Sequence, residues 1–154
     1  MIKLMIADDD FKVRSAINLL LDQDKSCWDV VAEVRNVEEL FIEVEKEKPK
    51  LLLLDWELPE QCCKEKDLSC NCLPERIKKL KLNNPNMYIL VLSSEPLVKT
   101  KALIAGANRF VSKGDPPEVF LEALYEICNE PSLMVQVEKN KKKTESRKPI
   151  SLLL

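Results

Sequence analysis

The sequence predicts an α/β fold, a doubly wound parallel five-stranded sheet of (βα)5 order. The central indication is a run of four leucines, Leu51 to Leu54, without polar alternation. Such a run is typical of a strand that is buried on both faces, as the middle strands of parallel sheets are. Similar apolar stretches alternate with amphipathic stretches of helical period, and parallel strands need such crossovers. The length of 154 residues suits one domain with a single core.

Five short apolar segments form the expected strands. They cover residues 2–7, 28–34, 50–55, 87–92 and 108–112. The third strand is closed by Pro59, which cannot donate a hydrogen bond to a sheet. Apart from the second, each strand ends at a charged or hydroxyl-bearing side chain. In open α/β sheets this is the edge where ligands bind.

Start and stop signals mark the helices between these strands. Asp10 is the expected N-cap of the first helix, and the spacing of Asn36 and Glu39 is typical of a capping box before the second. Pro96 suits the first position of the fourth helix, and Gly106 suits the stop after its last turn. The third and fifth helices are expected over about 73–82 and from about 115.

Composition narrows the functional classes. The sequence contains no histidine, which excludes His-based acid–base catalysis, His metal ligation and a phosphohistidine carrier in this chain. Six cysteines in a chain without a signal peptide favour thiols or a metal site over a disulfide framework. No apolar run has the length of a membrane span. We therefore expect a cytoplasmic protein without membrane association.

The charge is unevenly distributed, which suggests a domain followed by a tail. Residues 138–148 hold six basic and two acidic residues, which leaves 18 basic and 24 acidic residues elsewhere. An acidic body is a poor candidate for binding nucleic acid by itself. We predict a folded domain over residues 1–130 and a basic, flexible tail over residues 131–154. The tail is too short for a DNA-binding module, and the sequence leaves open whether an output domain was truncated.

The polar residues at the strand ends form one candidate site. Asp8 and Asp9 follow the first strand, Asp55 ends the third, Ser93 follows the fourth and Lys113 follows the fifth. In a parallel sheet all of them open onto one crevice, where crowded carboxylates favour a hard divalent cation. A cation, a lysine and a hydroxyl suit phosphoryl oxygens. The candidate nucleophile is then a carboxylate, as in aspartyl-phosphate chemistry.

Four segments at these positions resemble a known family. They are Ile6 to Asp9, Leu54 to Pro59, Val91 to Ser93 and Gly106 to Lys113. None is specific alone, but together, in this order and at this spacing, they resemble the receiver domain of bacterial two-component response regulators. The resemblance extends from Met1 to about residue 130 and implies the flavodoxin-like receiver fold.

The resemblance implies a phosphorylatable switch. Asp55 would accept a phosphoryl group from a sensor histidine kinase or a small phosphodonor, in a transfer that depends on Mg²⁺ as the cofactor. Asp9 and Asp55 would bind Mg²⁺ directly, Asp8 would act through a bound water, and Glu57 would offer its backbone carbonyl. Lys113 would pair with a phosphoryl oxygen.

The resemblance also implies how the signal would leave the site. Ser93 would bond the phosphoryl group and shift on activation, and the aromatic side chain of Phe110 would change its packing with it. A protein-interaction surface would switch, with a phosphorylation-dependent dimer as one outcome. Such a protein is a signalling switch with self-phosphorylation and self-dephosphorylation chemistry, and not an enzyme acting on other substrates. The effector or partner protein is not specified.

Two other functions are open on the residues alone. Cys62, Cys63, Cys70 and Cys72 lie in a loop over residues 60–72 that is longer than the family's usual one and lacks its glycine. They could make the chain a soft-metal or redox sensor on the receiver fold, although their spacing is not the paired form that zinc sites favour. A hydrolase with an aspartate nucleophile would use Glu57 as acid–base, but such a pair normally follows the first strand.

Overall fold

A single parallel sheet organises the protein. The computed structural model describes residues 1–24, 27–61, 72–131 and 133. The sheet has five parallel strands in the order β2-β1-β3-β4-β5. The strands are β1 (Ile2–Ala7), β2 (Trp28–Val34), β3 (Leu51–Asp55), β4 (Tyr88–Ser93) and β5 (Arg109–Ser112). The predicted fold class is confirmed, and the strand boundaries agree with the sequence to within one residue.

Within the described residues, five α-helices with defined bounds connect the strands or follow the last one. They are α1 (Phe11–Leu21), α2 (Val37–Glu47), α3 (Leu73–Asn83), α4 (Lys99–Ala105) and α5 (Pro117–Cys128). The predicted caps form: Asp10 accepts from the backbone N–H of Lys12 at 2.8 Å, and Asn36 accepts from that of Glu39 at 2.8 Å. These bonds satisfy N–H groups that a helix cannot pair internally.

The fourth helix begins later than predicted. Pro96 opens a short 3-10 turn, Pro96–Val98, and the α-helix starts at Lys99. Its end agrees with the prediction, because Gly106 takes a left-handed conformation with φ of 119°. A Cβ at Gly106 would lie 3.3 Å from the side chain of Lys81 in α3, so conformation and space both favour glycine there.

The leucines of β3 pack into two separate hydrophobic cores, one on each face of the sheet. Leu51 and Leu53 pack on one face of the sheet with α1 and α5, while Leu52 and Leu54 pack on the other with α2, α3 and α4. All four leucines are buried, which explains why the sequence shows no alternation in this strand. Truncating one of them to alanine is expected to cost about 2–5 kcal/mol of stability. Both cores therefore hold β3, and with it Asp55, in place.

The expectation of thiols or a metal site in place of disulfides is wrong for two of the six cysteines. A disulfide joins Cys27, just before β2, to Cys128 at the end of α5, across a sequence separation of 101 residues. Both residues are half-buried, and Leu133 is buried in the same core as α1 and α5. The packed part of the chain therefore reaches beyond residue 130. The remainder of the predicted tail lies outside the described residues, as do Cys62, Cys63 and Cys70.

Within the described ranges, none of the helices has both the length and the apolar character that a membrane span requires.

Candidate functional site

The sheet register brings the predicted residues to one edge. Asp55 pairs with Leu92 across β3 and β4, and Ser93 pairs with Ser112 across β4 and β5. Beyond the paired positions, the N–H of Lys113 donates to the carbonyl of Ser93 at 2.8 Å. These neighbouring strands end together because all of them are parallel. The polar residues that follow separate strands in the sequence therefore lie together at the carboxyl edge of the sheet.

Lys113 links the acidic residues of the site. Its Nζ lies 3.0 Å from Oδ2 of Asp8 and 3.1 Å from Oδ1 of Asp55. Asp8 and Asp55 are buried, at 1% and 2% exposure, whereas Asp9 is exposed. One ammonium group thus faces two buried carboxylates, which leaves the centre with a surplus of negative charge.

The carboxylates resist ionisation in this setting. The pKa of Asp55 is raised to about 6: burial is the largest cause, the nearby Glu57 side chain adds to it, and Lys113 opposes both effects. Burial also raises the pKa of Asp8, with a smaller contribution from the charge of Asp55. Burial would lower the pKa of Lys113, but the pairing with Asp8 and Asp55 outweighs it and raises that pKa. Desolvation, more than crowding of like charges, therefore dominates the carboxylate shifts.

The acidic cluster fits a hard divalent cation. One carboxylate oxygen from each of Asp8, Asp9 and Asp55 lies within 4.8 Å of the other two. Oδ2 of Asp8 is buried and accepts no well-aligned hydrogen bond, although Lys113 is at ion-pair distance. A donor set made entirely of carboxylate oxygens is of the kind that Mg²⁺ binds in proteins. The residues present therefore suit the cofactor that the sequence suggested.

Two contacts of Asp8 and Asp55 were not visible in the sequence. The guanidinium of Arg14 donates to the carbonyl of Asp8 at 2.8 Å, and so fixes the chain just after β1. The N–H of Glu57 donates to Oδ1 of Asp55 at 3.1 Å. Arg14 lies on the first turn of α1, and no local pattern distinguishes it from a solvated helix residue.

The side chain of Glu57 has a partner that sequence reasoning missed. Ser93 donates from Oγ to Oε1 of Glu57 at 2.9 Å, and the N–H of Glu95 donates to the same Oγ at 3.0 Å. Ser93 is completely buried, while Glu57 is exposed. For the receiver, the sequence had suggested a role for the backbone carbonyl of Glu57 and none for its side chain. Its carboxylate and Ser93 are 36 residues apart, so only the folded sheet brings them together.

Two further candidate residues, Phe110 and Cys72, lie in the described part of the chain. Phe110 in β5 is half-buried and packs against the core formed with α2, α3 and α4. Cys72 is half-buried directly before α3. Its three companions in the predicted sensor fall outside the described residues, so the structure does not describe the four cysteines as a group.

Comparison with known proteins identifies the class of the chain. The sequence profile of the response regulator receiver domain matches residues 4–125. Since this match covers most of the 154 residues, the chain belongs to the response regulator receiver domain family. The family suggested by the four sequence segments is therefore confirmed, and with it the general function of a signalling receiver.

Solved structures support the same fold. The isolated receiver domain of RcsB from Salmonella enterica serovar Typhimurium, determined with the phosphomimetic BeF3⁻, is 22% identical with a TM-score of 0.71, over 86% of this chain and 96% of that one. A DNA-binding response regulator of the LuxR family from Staphylococcus aureus is 19% identical, with a TM-score of 0.68, over 84% and 100%. The receiver domain of NarL from Mycobacterium tuberculosis is 18% identical, with a TM-score of 0.67, over 84% and 97%.

A search among curated proteins finds no match to this chain. None of the comparisons supports the alternative of a soft-metal or redox sensor built on the loop cysteines.

Proposed function

We propose that the chain is a phosphorylatable receiver in which Asp55 accepts a phosphoryl group and thereby switches a protein-interaction surface. The observation that carries the proposal is the position of Asp55. It is a buried carboxylate at the end of β3, 3.1 Å from the ammonium group of Lys113 and within one cluster with Asp8 and Asp9. A structural aspartate would not need this surrounding, because its burial raises its pKa and costs stability.

The transfer uses Asp55 as the nucleophile. Its carboxylate oxygen forms a bond to phosphorus, and the bond from phosphorus to the donor breaks, with the electron pair leaving on the donor nitrogen or oxygen. With a pKa of about 6, Asp55 is mainly ionised near neutral pH and able to attack. Lys113 stands where its charge stabilises the phosphoryl oxygens. Attack of water on the acyl phosphate would reverse the state.

Mg²⁺ is the proposed cofactor. Asp9, Asp55 and the backbone carbonyl of Glu57 would bind it directly and Asp8 would act through a bound water; the cation would neutralise the charge of the incoming phosphoryl group. Asp8 and Asp55 are fixed at strand ends, and the N–H of Asp10 donates to Oδ1 of Asp8 at 2.9 Å. These contacts orient Asp8 before any ligand arrives.

Ser93 and Phe110 are proposed to transmit the change. Ser93 would donate its hydroxyl to a phosphoryl oxygen. Phe110, which lies two residues before the β5 partner of Ser93 and packs against the core with α2, α3 and α4, would repack as Ser93 moves. The surface formed by the last two helices would then differ between the two states. A phosphorylation-dependent dimer is one readout of such a surface.

The phosphodonor is proposed to be a sensor histidine kinase or a small acyl phosphate, and the location the cytoplasm. The effector is a separate domain or partner protein that the chain does not specify. Residues 1–130 would form the receiver, with Leu133 still packed on it, and the basic tail would follow. The acidic body makes the receiver itself a poor binder of nucleic acid.

The test is phosphorylation by acetyl phosphate, followed by intact-mass measurement. With Mg²⁺ present, the protein should gain the mass of one phosphoryl group; Asp55→Asn or removal of Mg²⁺ by a chelator should abolish the gain. Asp29→Asn, at an exposed aspartate of β2, is the matched control and should be labelled like the wild type. Labelling of Asp55→Asn at the wild-type rate would contradict the proposal.

A further inference from the structure

The hydroxyl of Ser93 is already engaged in the resting protein. Its Oγ donates to Oε1 of Glu57 at 2.9 Å and accepts from the N–H of Glu95 at 3.0 Å. A hydroxyl has a single proton and can donate it to one acceptor at a time. Ser93 is completely buried, so water does not compete for that proton. The bond to a carboxylate is also of the stronger, charge-assisted kind.

The carboxylate of Glu57 lies beside both groups that a phosphoryl transfer would use. It accepts the hydrogen bond from the Ser93 hydroxyl at 2.9 Å, and its proximity contributes to the raised pKa of Asp55. Its own backbone N–H is tied to Oδ1 of Asp55 at 3.1 Å, which fixes the position from which the side chain reaches. Lys113 is paired with Asp8 and Asp55.

We infer that the Glu57 side chain is a positioning residue that holds the Ser93 hydroxyl in the resting orientation, and that this hydrogen bond must break before Ser93 can donate to a phosphoryl group on Asp55. The inference rests on the proposed function for its second half, while the resting hydrogen bond is independent of it. Glu57 then sets the balance between the two states of the receiver. This role is separate from that of its backbone carbonyl, which side-chain substitutions leave in place.

The first measurement concerns the protein without ligand. The amide of Glu95 donates to Ser93 Oγ, so its hydrogen exchange reports how firmly that hydroxyl is held. Exchange at Glu95 should be several-fold faster in Glu57→Ala than in wild type. Glu57→Gln keeps an acceptor oxygen without the charge and should fall between them. An exchange rate that is equal in wild type and Glu57→Ala would overturn the inference, whether or not the protein is phosphorylated.

The second measurement titrates BeF3⁻ with Mg²⁺ present, followed by the fluorescence of Trp56, which adjoins Asp55. Glu57→Ala should bind BeF3⁻ about tenfold more tightly than wild type, the value of a lost hydrogen bond to a charged acceptor. In a Ser93→Ala background the same substitution should change the affinity less than about twofold, because the bond is already absent. An equal gain in both backgrounds would overturn the inference in favour of simple charge repulsion.

Glu95→Gln is the control for charge. It removes an exposed negative charge next to Ser93 but leaves the Glu57 bond intact, so affinity should stay within about twofold of wild type. A tenfold gain in this control would likewise assign the effect to charge. If no variant binds BeF3⁻, the proposed function fails, and exchange at Glu95 still decides whether Glu57 holds the hydroxyl.

Discussion

Replacing Asp55 by asparagine should make the metal-free protein more stable at neutral pH, even though it removes the phosphoacceptor. Asparagine has nearly the shape of aspartate but cannot ionise. In the wild type, burial raises the pKa of Asp55 from 3.8 to about 6. The folded state therefore holds the proton more tightly than the unfolded chain does between these two values.

The direction and the size of the stability change follow from the difference between the unfolded and folded pKa values of Asp55. The stability contributed by the protonated carboxyl is fully present below pH 3.8 and is lost as the pH rises through about 6. The loss amounts to roughly 3 kcal/mol, at about 1.4 kcal/mol for each pKa unit. Asp55→Asn does not undergo this loss. Relative to wild type, the variant should therefore gain up to about 3 kcal/mol between acid and neutral pH.

The assay is urea unfolding of both proteins with a chelator, near pH 4 and near pH 7.5. Comparing the two proteins at the same pH cancels the titration of groups that both share. Asp29→Asn serves as the control, because its carboxylate is exposed and should give no pH-dependent difference. A difference between wild type and Asp55→Asn that stays constant with pH would refute the reasoning, since burial of the charge would then cost nothing.

Two further predictions concern the metal and the disulfide. The raised pKa values of Asp8 and Asp55 make protons compete with the cation, so Mg²⁺ affinity measured by Trp56 fluorescence should fall as the pH is lowered through about 6. Asp9→Ala should weaken Mg²⁺ binding more than Asp8→Ala. Equal affinity in both variants would contradict the proposed metal site. Reduction of the Cys27–Cys128 disulfide, which closes a loop of 101 residues, should lower the free energy of unfolding by up to about 5 kcal/mol in urea, whereas reductant should not affect a Cys128→Ser variant.

The fold was predictable because its signals are local. The leucine run of β3 shows no alternation of apolar and polar residues because neighbouring leucines pack into cores on opposite faces of the sheet. The helix caps at Asp10 and Asn36 bond to residues only two and three positions away. The start of α4 was predicted less well. Pro96 is compatible with the first turn of either helix type, so its presence alone does not separate a 3-10 turn from an α-helix.

The site was predictable in its members and not in its contacts. Strand ends predicted that Asp55, Ser93 and Lys113 would meet, because a parallel sheet aligns them. The bond from Ser93 to Glu57 and the disulfide join residues that are 36 and 101 positions apart, and no local pattern encodes such pairs. The sequence suggested crowded carboxylates that favour a cation, but it did not show that burial would be the largest cause of their raised pKa values.

The distribution of buried polar groups connects stability with function. Among the described residues, the buried polar or charged side chains are Asp8, Asp55 and Ser93, and all three lie at the carboxyl edge of the sheet. Two of them have pKa values raised by burial, so at neutral pH they lower the stability of the metal-free fold. A cation that offsets this cost binds the folded state selectively and therefore stabilises it. The two leucine-rich cores supply the stability that lets the sheet edge keep these charges poised for a ligand.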